Sequence, residues 1–145
     1  MHVKNLLVVC VGNICRSPLG ERLLQSALPD ANVTSAGIAA LVGHAADDTA
    51  SKVAATHGVS LDGHISRQLT AAIGAGQDLI LVMEPGHKHE IARQFPQLSG
   101  RTMLLDQWTG KKGIADPYQH SQEFHEQVFL QIKAATDAWA PRLKR

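Results

Sequence analysis

Cys10 and Arg16 stand with five residues between them in the run Val8–Pro18, VVCVGNICRSP. A loop of that length curls round one tetrahedral dianion. The backbone N–H groups of Val11, Gly12, Asn13, Ile14 and Cys15 would point inward, with the Cys10 thiol at the bottom and the Arg16 guanidinium clamping from the rim. The thiolate, not the thiol, is the nucleophilic form of cysteine. Converging amides, a helix N-terminus and the charge of Arg16 would favour it at Cys10. Ser17 is placed to donate its hydroxyl to the sulfur. Arg16 can hold two equatorial oxygens at once, which a lysine could not. One loop would thus activate a sulfur and hold phosphorus over it. The competing reading is a buried, inert strand cysteine. The strand before the loop and the Ser-Pro and helix after it weigh against that.

Displacement at phosphorus leaves a group that needs a proton, and a carboxylic acid is a fitting donor. Asp116 is the candidate, in a long loop where Pro117 fixes the turn. On turn statistics alone it is equally well an Asp-Pro turn residue. No metal and no cofactor is expected, because Arg16 and the loop amides already neutralise phosphoryl oxygens. His87 and His89, two apart on a helix, point in different directions and read as solvated helix residues rather than ligands.

These groups need a scaffold. Asn5–Cys10 (NLLVVC) is a short, continuously apolar run, as in a strand buried on both faces of a parallel sheet. Ser17-Pro18 reads as an N-cap followed by proline at the first helical position, with a helix to about Leu28. Asn32–Ala36 is a second strand, and Ile38 to Asp47 is loop. Asp47 or Asp48 caps a helix running to about His57. A short helix is expected over Leu69–Ala75 and a buried strand over Asp78–Met83. Pro85 opens a helix to about Phe95, and Arg101–Leu105 is the last strand. Asp106 to His120 is a loop long enough to suggest function. A terminal helix spans Ser121–Leu143, with Phe124, Val128, Ile132, Ala135 and Trp139 on one face. Strands alternating with helices predict a three-layer α/β/α sandwich with a central, mainly parallel four-stranded sheet of flavodoxin or Rossmann-like type. The Cys10 loop leaves the carboxyl end of the first strand, where such sheets bind ligands.

The 145 residues suit one domain, 1–145, and 44% hydrophobic with 19% charged residues reads as globular. A net charge of +1 gives no reason to expect nucleic acid. Leu6–Val11 is too short to span a membrane, and its flank does not resemble a secretory leader. The expectation is a cytoplasmic chain without stable membrane insertion. Its two cysteines, Cys10 and Cys15, would there be thiols rather than a structural disulfide.

The run VCVGNICRSP resembles the active-site signature of the low-molecular-weight protein tyrosine phosphatases. SAG at Ser35–Gly37, GHISRQ at Gly63–Gln68, DLILVM at Asp78–Met83 and DPY at Asp116–Tyr118 extend the resemblance over most of the chain. ALVG at Ala40–Gly43 is similar to the bacterial branch that pairs with tyrosine autokinases of capsule and exopolysaccharide export. The resemblance implies a single, mostly monomeric phosphatase domain acting on a tyrosine-phosphorylated protein, a membrane tyrosine kinase in that branch. It implies a phosphocysteine on Cys10, with Asp116 as general acid and then as the base that activates water. It implies that Asn13 holds a left-handed backbone within a polar network of Ser17, Ser35 and His64. For His64 an ordinary structural role stays open. Leu41 and Tyr118 would wall the pocket, with Ile14 on its floor and Trp108, by its loop position, at the rim. Some family members use the cysteine at position 15 to trap the oxidised nucleophile as a disulfide. Here Cys15 is equally well a passive neighbour. Tyr118 is the only tyrosine, so regulation through a tyrosine pair is not expected. A thioredoxin-coupled arsenate reductase shares the loop and fold, but its thiol relay needs cysteines this chain lacks beyond Cys15. An idle phosphotyrosine-binding module could dispense with Cys10 or Asp116, and both are present.

Overall fold

The computed structural model describes residues 3–144. Four strands form the sheet: β1 (Asn5–Cys10), β2 (Asn32–Gly37), β3 (Leu79–Val82) and β4 (Thr102–Leu104). They lie in the order β2-β1-β3-β4, and every pairing is parallel. The helices are α1 (Arg16–Ala27), α2 (Asp48–Thr56), α3 (Ala71–Ala75), α4 (Pro85–Gln94) and α5 (Gln122–Leu143), with a 3-10 turn at Pro96–Arg101.

Side chains alternate across a strand, and both faces of β1 are apolar, so each face gathers its own core. Leu6, Val8 and Cys10 join Leu19, Leu24, Val53, Val128, Ile132 and Trp139 beneath α1, α2 and α5. Leu7 and Val9 join Ile80, Val82, Ile91 and Leu98 on the opposite face with α4. The result is the expected three-layer α/β/α arrangement. The chain runs from β1 outward to β2, then returns to β3 on the other side of β1. The order reverses at the carboxyl end of β1, which is where the Cys10 loop emerges. Among the described residues no helix is long and apolar enough to cross a membrane.

Four local expectations are corrected. Helix α1 begins at Arg16 with Cys15 as its N-cap, not at Ser17-Pro18. The N–H groups of a first helical turn have no intrahelical acceptor, so Pro18 is tolerated two positions further in, at the third residue of the helix. The Ser17 hydroxyl is used elsewhere, as described below. The last strand shrinks to Thr102–Leu104, since the backbone through Arg101 closes a 3-10 turn. His87 is buried rather than solvated, while His89 is exposed. Helix α3 starts at Ala71, later than the expected Leu69, behind a Thr70 side-chain cap, and the other helices follow their signals. Asp47 Oδ2 accepts from Ala50 N–H (3.0 Å) to cap α2, and Ser121 Oγ accepts from Phe124 N–H (3.2 Å) to cap α5.

Candidate active site

The loop after β1 is held by its carbonyls. Those of Cys10, Val11, Gly12 and Ile14 accept from the backbone N–H groups of Ile38, Ala39, Leu41 and Asp47, at 2.8 to 3.1 Å. The Asn13 carbonyl accepts from His64 Nε2 at 2.6 Å. In a trans peptide the C=O of one residue and the N–H of the next point in opposite directions. Five carbonyls turned outward therefore turn the N–H groups of Val11 to Cys15 inward, toward a common point. Segment 38–47 and His64 act as the mould for this anion-binding concavity.

Asn13 is the residue that makes the turn. Its φ is +58°, a conformation asparagine adopts more readily than most residues. Its side chain is fully buried and fully satisfied: Nδ2 donates to Ser17 Oγ (2.7 Å) and Ser35 Oγ (3.0 Å), and Oδ1 accepts from Arg67 N–H (2.9 Å). Ser17 Oγ lies 2.9 Å from Cys10 Sγ. Because that oxygen already accepts from Asn13, its own hydrogen is free to be given to the sulfur. Ser35 in turn donates to Glu21 Oε1 (2.7 Å). The structure thus joins Asn13, Ser17, Ser35 and His64 into one network behind Cys10.

Arg16 departs from its expected place. It does not clamp from the rim; it is 1% exposed, as deep as the sulfur. A buried guanidinium must be paired. Its Nη1 donates to Glu84 Oε2 and to the Ile114 carbonyl, both at 2.7 Å. Its Nη2 is 3.7 Å from Asp116 Oδ2. Its Nε is buried and has no hydrogen-bond partner among the described residues. One edge of the fork is consumed by the scaffold, and the Nε–Nη2 edge is the one left to take two oxygens of an anion.

Glu84 and His87 were missed as site neighbours in the sequence. Glu84 sits at the carboxyl end of β3, the same sheet edge as Cys10, and that position was the available signal. His87 Nε2 lies 3.3 Å from Glu84 Oε2. Burial, and then the nearby Arg16 charge, hold the His87 imidazole below its ordinary range, so it stays neutral beside the arginine.

Cys10, Val11, Gly12, Ile14, Arg16, Leu41, Asp116 and Tyr118 line one cleft of about 190 Å³. Cys10 is 3% exposed, whereas Leu41 and Tyr118 are 38% and 41% exposed, so the sulfur is the floor and these two side chains are the lip. Asp116 reaches the cleft from a loop fixed on both sides. Ile114 is buried and its N–H donates to the Met83 carbonyl (2.8 Å), and Pro117 is buried three residues after it. Tyr118 N–H donates to Asp116 Oδ1 (3.0 Å), closing an Asx turn that leaves Oδ2 toward Arg16. Trp108 is not at this rim. It packs edge-on against Trp139 and under the Arg142 guanidinium, 4.2 Å from the ring centre. Cys15 is buried beside the cleft, and burial first, then Asp47, pushes its thiol strongly up.

Comparison with known proteins gives a consistent answer. A family model described as low molecular weight phosphotyrosine protein phosphatase matches residues 5–145. The chain is 51% identical over 145 residues to the low molecular weight protein-tyrosine-phosphatase Etp of Escherichia coli (strain K12), covering 100% of this chain and 98% of Etp. A crystal structure of the Erwinia amylovora tyrosine phosphatase AmsI superimposes with a TM-score of 0.95 at 49% identity, covering 99% of this chain and 95% of that one. Vibrio vulnificus Wzb in complex with benzylphosphonate superimposes with a TM-score of 0.94 at 48% identity, covering 97% and 99%.

Proposed function

Because this chain belongs to the low molecular weight phosphotyrosine protein phosphatase family, we propose that Cys10, Arg16 and Asp116 divide the hydrolysis of protein phosphotyrosine among them. The reading is carried by one observation: Cys10, Arg16 and Asp116, from a strand end, a helix start and a distant loop, meet in one cleft. Cys10 Sγ attacks phosphorus, a sulfur–phosphorus bond forms and the phosphorus–oxygen bond to the phenol breaks. Asp116 gives its proton to the departing phenolate oxygen. The loop amides and the Nε–Nη2 edge of Arg16 hold the three equatorial oxygens throughout, already oriented by Glu84 and Ile114. A water then attacks the phosphocysteine while Asp116 takes its proton. Phosphate leaves, and the Cys10 thiolate is restored.

The role of Asp116 has a sharp test. Asp116→Asn keeps the shape of the loop but has no proton to give. Phenyl phosphate, with its strongly basic leaving group, is expected to slow by about 10²-fold or more in kcat, and p-nitrophenyl phosphate by far less. Equal slowing of the two would remove Asp116 from the role.

The depth of the cleft selects the substrate class. With the sulfur on the floor and Leu41 and Tyr118 at the lip, a flat aryl phosphate reaches phosphorus to sulfur and is gripped on the way. The benzylphosphonate held by the Vibrio relative is a ligand of that shape. A phosphoserine side chain is too short. The natural substrate we assign is the phosphorylated tyrosine-rich segment of a membrane tyrosine kinase of capsule or exopolysaccharide export, met in the cytoplasm by a monomeric, metal-independent enzyme. Phosphotyrosine peptides from such a segment should be turned over with kcat/KM at least about 10²-fold above matched phosphoserine peptides. Comparable rates, measured by phosphate release, would overturn the assignment.

A further inference from the structure

Asp116 is an exposed side chain on a loop that must present it to within bonding distance of a leaving oxygen. What fixes that loop on its two sides differs. On the amino-terminal side Ile114 is tied to β3 and accepts from Arg16. On the carboxyl side Pro117 is buried, yet proline has no N–H with which to anchor itself. Its carbonyl accepts from His120 N–H (2.9 Å) within the loop, and Pro117 lines the same small cavity as His125.

His125 sits one turn into α5, buried among apolar neighbours. It lines a small, mainly apolar pocket with Cys15, Ala50, Pro117, Val128 and Phe129. Its Nε2 is 3.9 Å from Asp47 Oδ2. Asp47 is itself held at both ends: it caps α2, and its N–H donates to the Ile14 carbonyl of the anion loop (2.8 Å). The imidazole therefore stands between a residue bonded to the nucleophile loop and the proline beside Asp116. The charged groups that face it are Asp47 from the α2 cap, Asp116 from the acid loop and His120 from the turn before α5. Burial holds the imidazole below its ordinary range, with Asp47 acting the other way. Near neutral pH it is an uncharged ring with one N–H to give.

The geometry points to His125 as a positioning residue for proton transfer, bracing Pro117 from below so that Asp116 stays over the cleft formed by the Cys10 loop. The inference rests on Asp116 being the proton donor. A helix from the far end of the chain is thereby made part of the acid loop. Histidine fills this space with a ring that is uncharged yet keeps a polar edge between Asp47 and Pro117, where a charged side chain would be costly.

The test is a pair of substitutions read on two substrates and two backgrounds. His125→Leu keeps bulk and burial but removes the polar edge of the ring. It should lower kcat for phenyl phosphate by about 10-fold and for p-nitrophenyl phosphate by less than about 3-fold, reproducing in smaller measure the pattern of Asp116→Asn. In the Asp116→Asn background, His125→Leu should change neither rate by more than about 2-fold, since no proton is left to position. His125→Gln, which retains an N–H donor, should restore most of the phenyl phosphate rate, and it serves as the reference if the leucine variant folds poorly. In that case His125→Ala is read against it in the same way. Equal slowing of both substrates, no slowing, or a full additional loss in the Asp116→Asn background would each overturn the inference. If Asp116→Asn alone shows no dependence on leaving group, it is the assignment of the acid that fails, and the two failures are thus told apart.

Discussion

Cys10→Ser is expected to abolish turnover while leaving the anion site standing. The argument is local. Ser17 Oγ, Asn13 and the loop carbonyls are fixed by partners other than the sulfur: Asn13 by Ser35 and Arg67, and the carbonyls by segment 38–47 and His64. The hydroxyl of a serine fits the same space with a shorter bond and disturbs none of these. An alcohol at this position is not ionised and has no adjacent base, since Ser17 and Asn13 are donors toward it rather than proton acceptors of useful strength. The loss in kcat should be at least about 10⁴-fold, equivalent to about 5 kcal/mol of barrier. Affinity for phosphate or for an aryl phosphonate should change only a few-fold, because Arg16 and the loop amides supply it. In the wild-type protein, rapid acid quenching during turnover should yield a phosphorylated peptide containing Cys10, absent from the serine variant. A serine variant that keeps a tenth of the wild-type rate would show that the sulfur is not the nucleophile.

The features legible in the sequence are those whose cause is local. The continuous apolar run Asn5–Cys10 declares a strand covered on both sides, and the core divides across it as expected. The spacing from Cys10 to Arg16 declares the loop, and Asn13 at φ +58° sits where a residue tolerant of that backbone was expected. What was not legible depends on partners far away in the chain. Arg16 is read as a rim residue by charge alone. Its burial follows from Glu84, 68 positions on, and Ile114, 98 positions on, neither of which leaves a mark near Arg16. His87 reads as a solvated side chain because its spacing to His89 fits no ligand pair, yet it faces Glu84 and the buried arginine. His125 lies one position from Phe124 and three from Val128, on the apolar stripe of α5. A histidine on a buried stripe was the available sign. Helix α1 begins earlier than its Ser-Pro signal because Ser17 is drawn to the sulfur and to Asn13 instead of capping.

The mould around the anion loop also has a steric condition, and it yields the second large effect. Gly37 closes β2 directly beside Cys10 in the parallel register. A Cβ on Gly37 would lie 2.4 Å from the Val11 carbonyl oxygen, 3.0 Å from Ala40 Cβ and 3.1 Å from Asn13 Cβ. The first of these is backbone and cannot rotate away. Val11 is also the residue whose carbonyl is held outward by Ala39 N–H (3.0 Å), so a methyl group there pushes on the bond that turns the loop amides inward. Gly37 is thus required for space, not for an unusual backbone angle. Gly37→Ala should displace the anion loop by a fraction of an ångström or more. A shift of that size at an electrostatically organised site should lower kcat/KM by about 10²-fold or more, with a stability loss of about 1–3 kcal/mol. The contrast is Gly86, in the first turn of α4, where a Cβ meets nothing within 4 Å. Gly86→Ala should leave kcat/KM unchanged and stabilise the fold by a few tenths to about 1 kcal/mol, because only the unfolded chain loses freedom. Parallel steady-state assays and denaturant unfolding of the two variants separate the general effect of replacing a glycine from the contact with Val11. Wild-type kcat/KM in Gly37→Ala would mean that the loop yields at little cost, and that its geometry is set by the phosphate it binds rather than by the strand beside it.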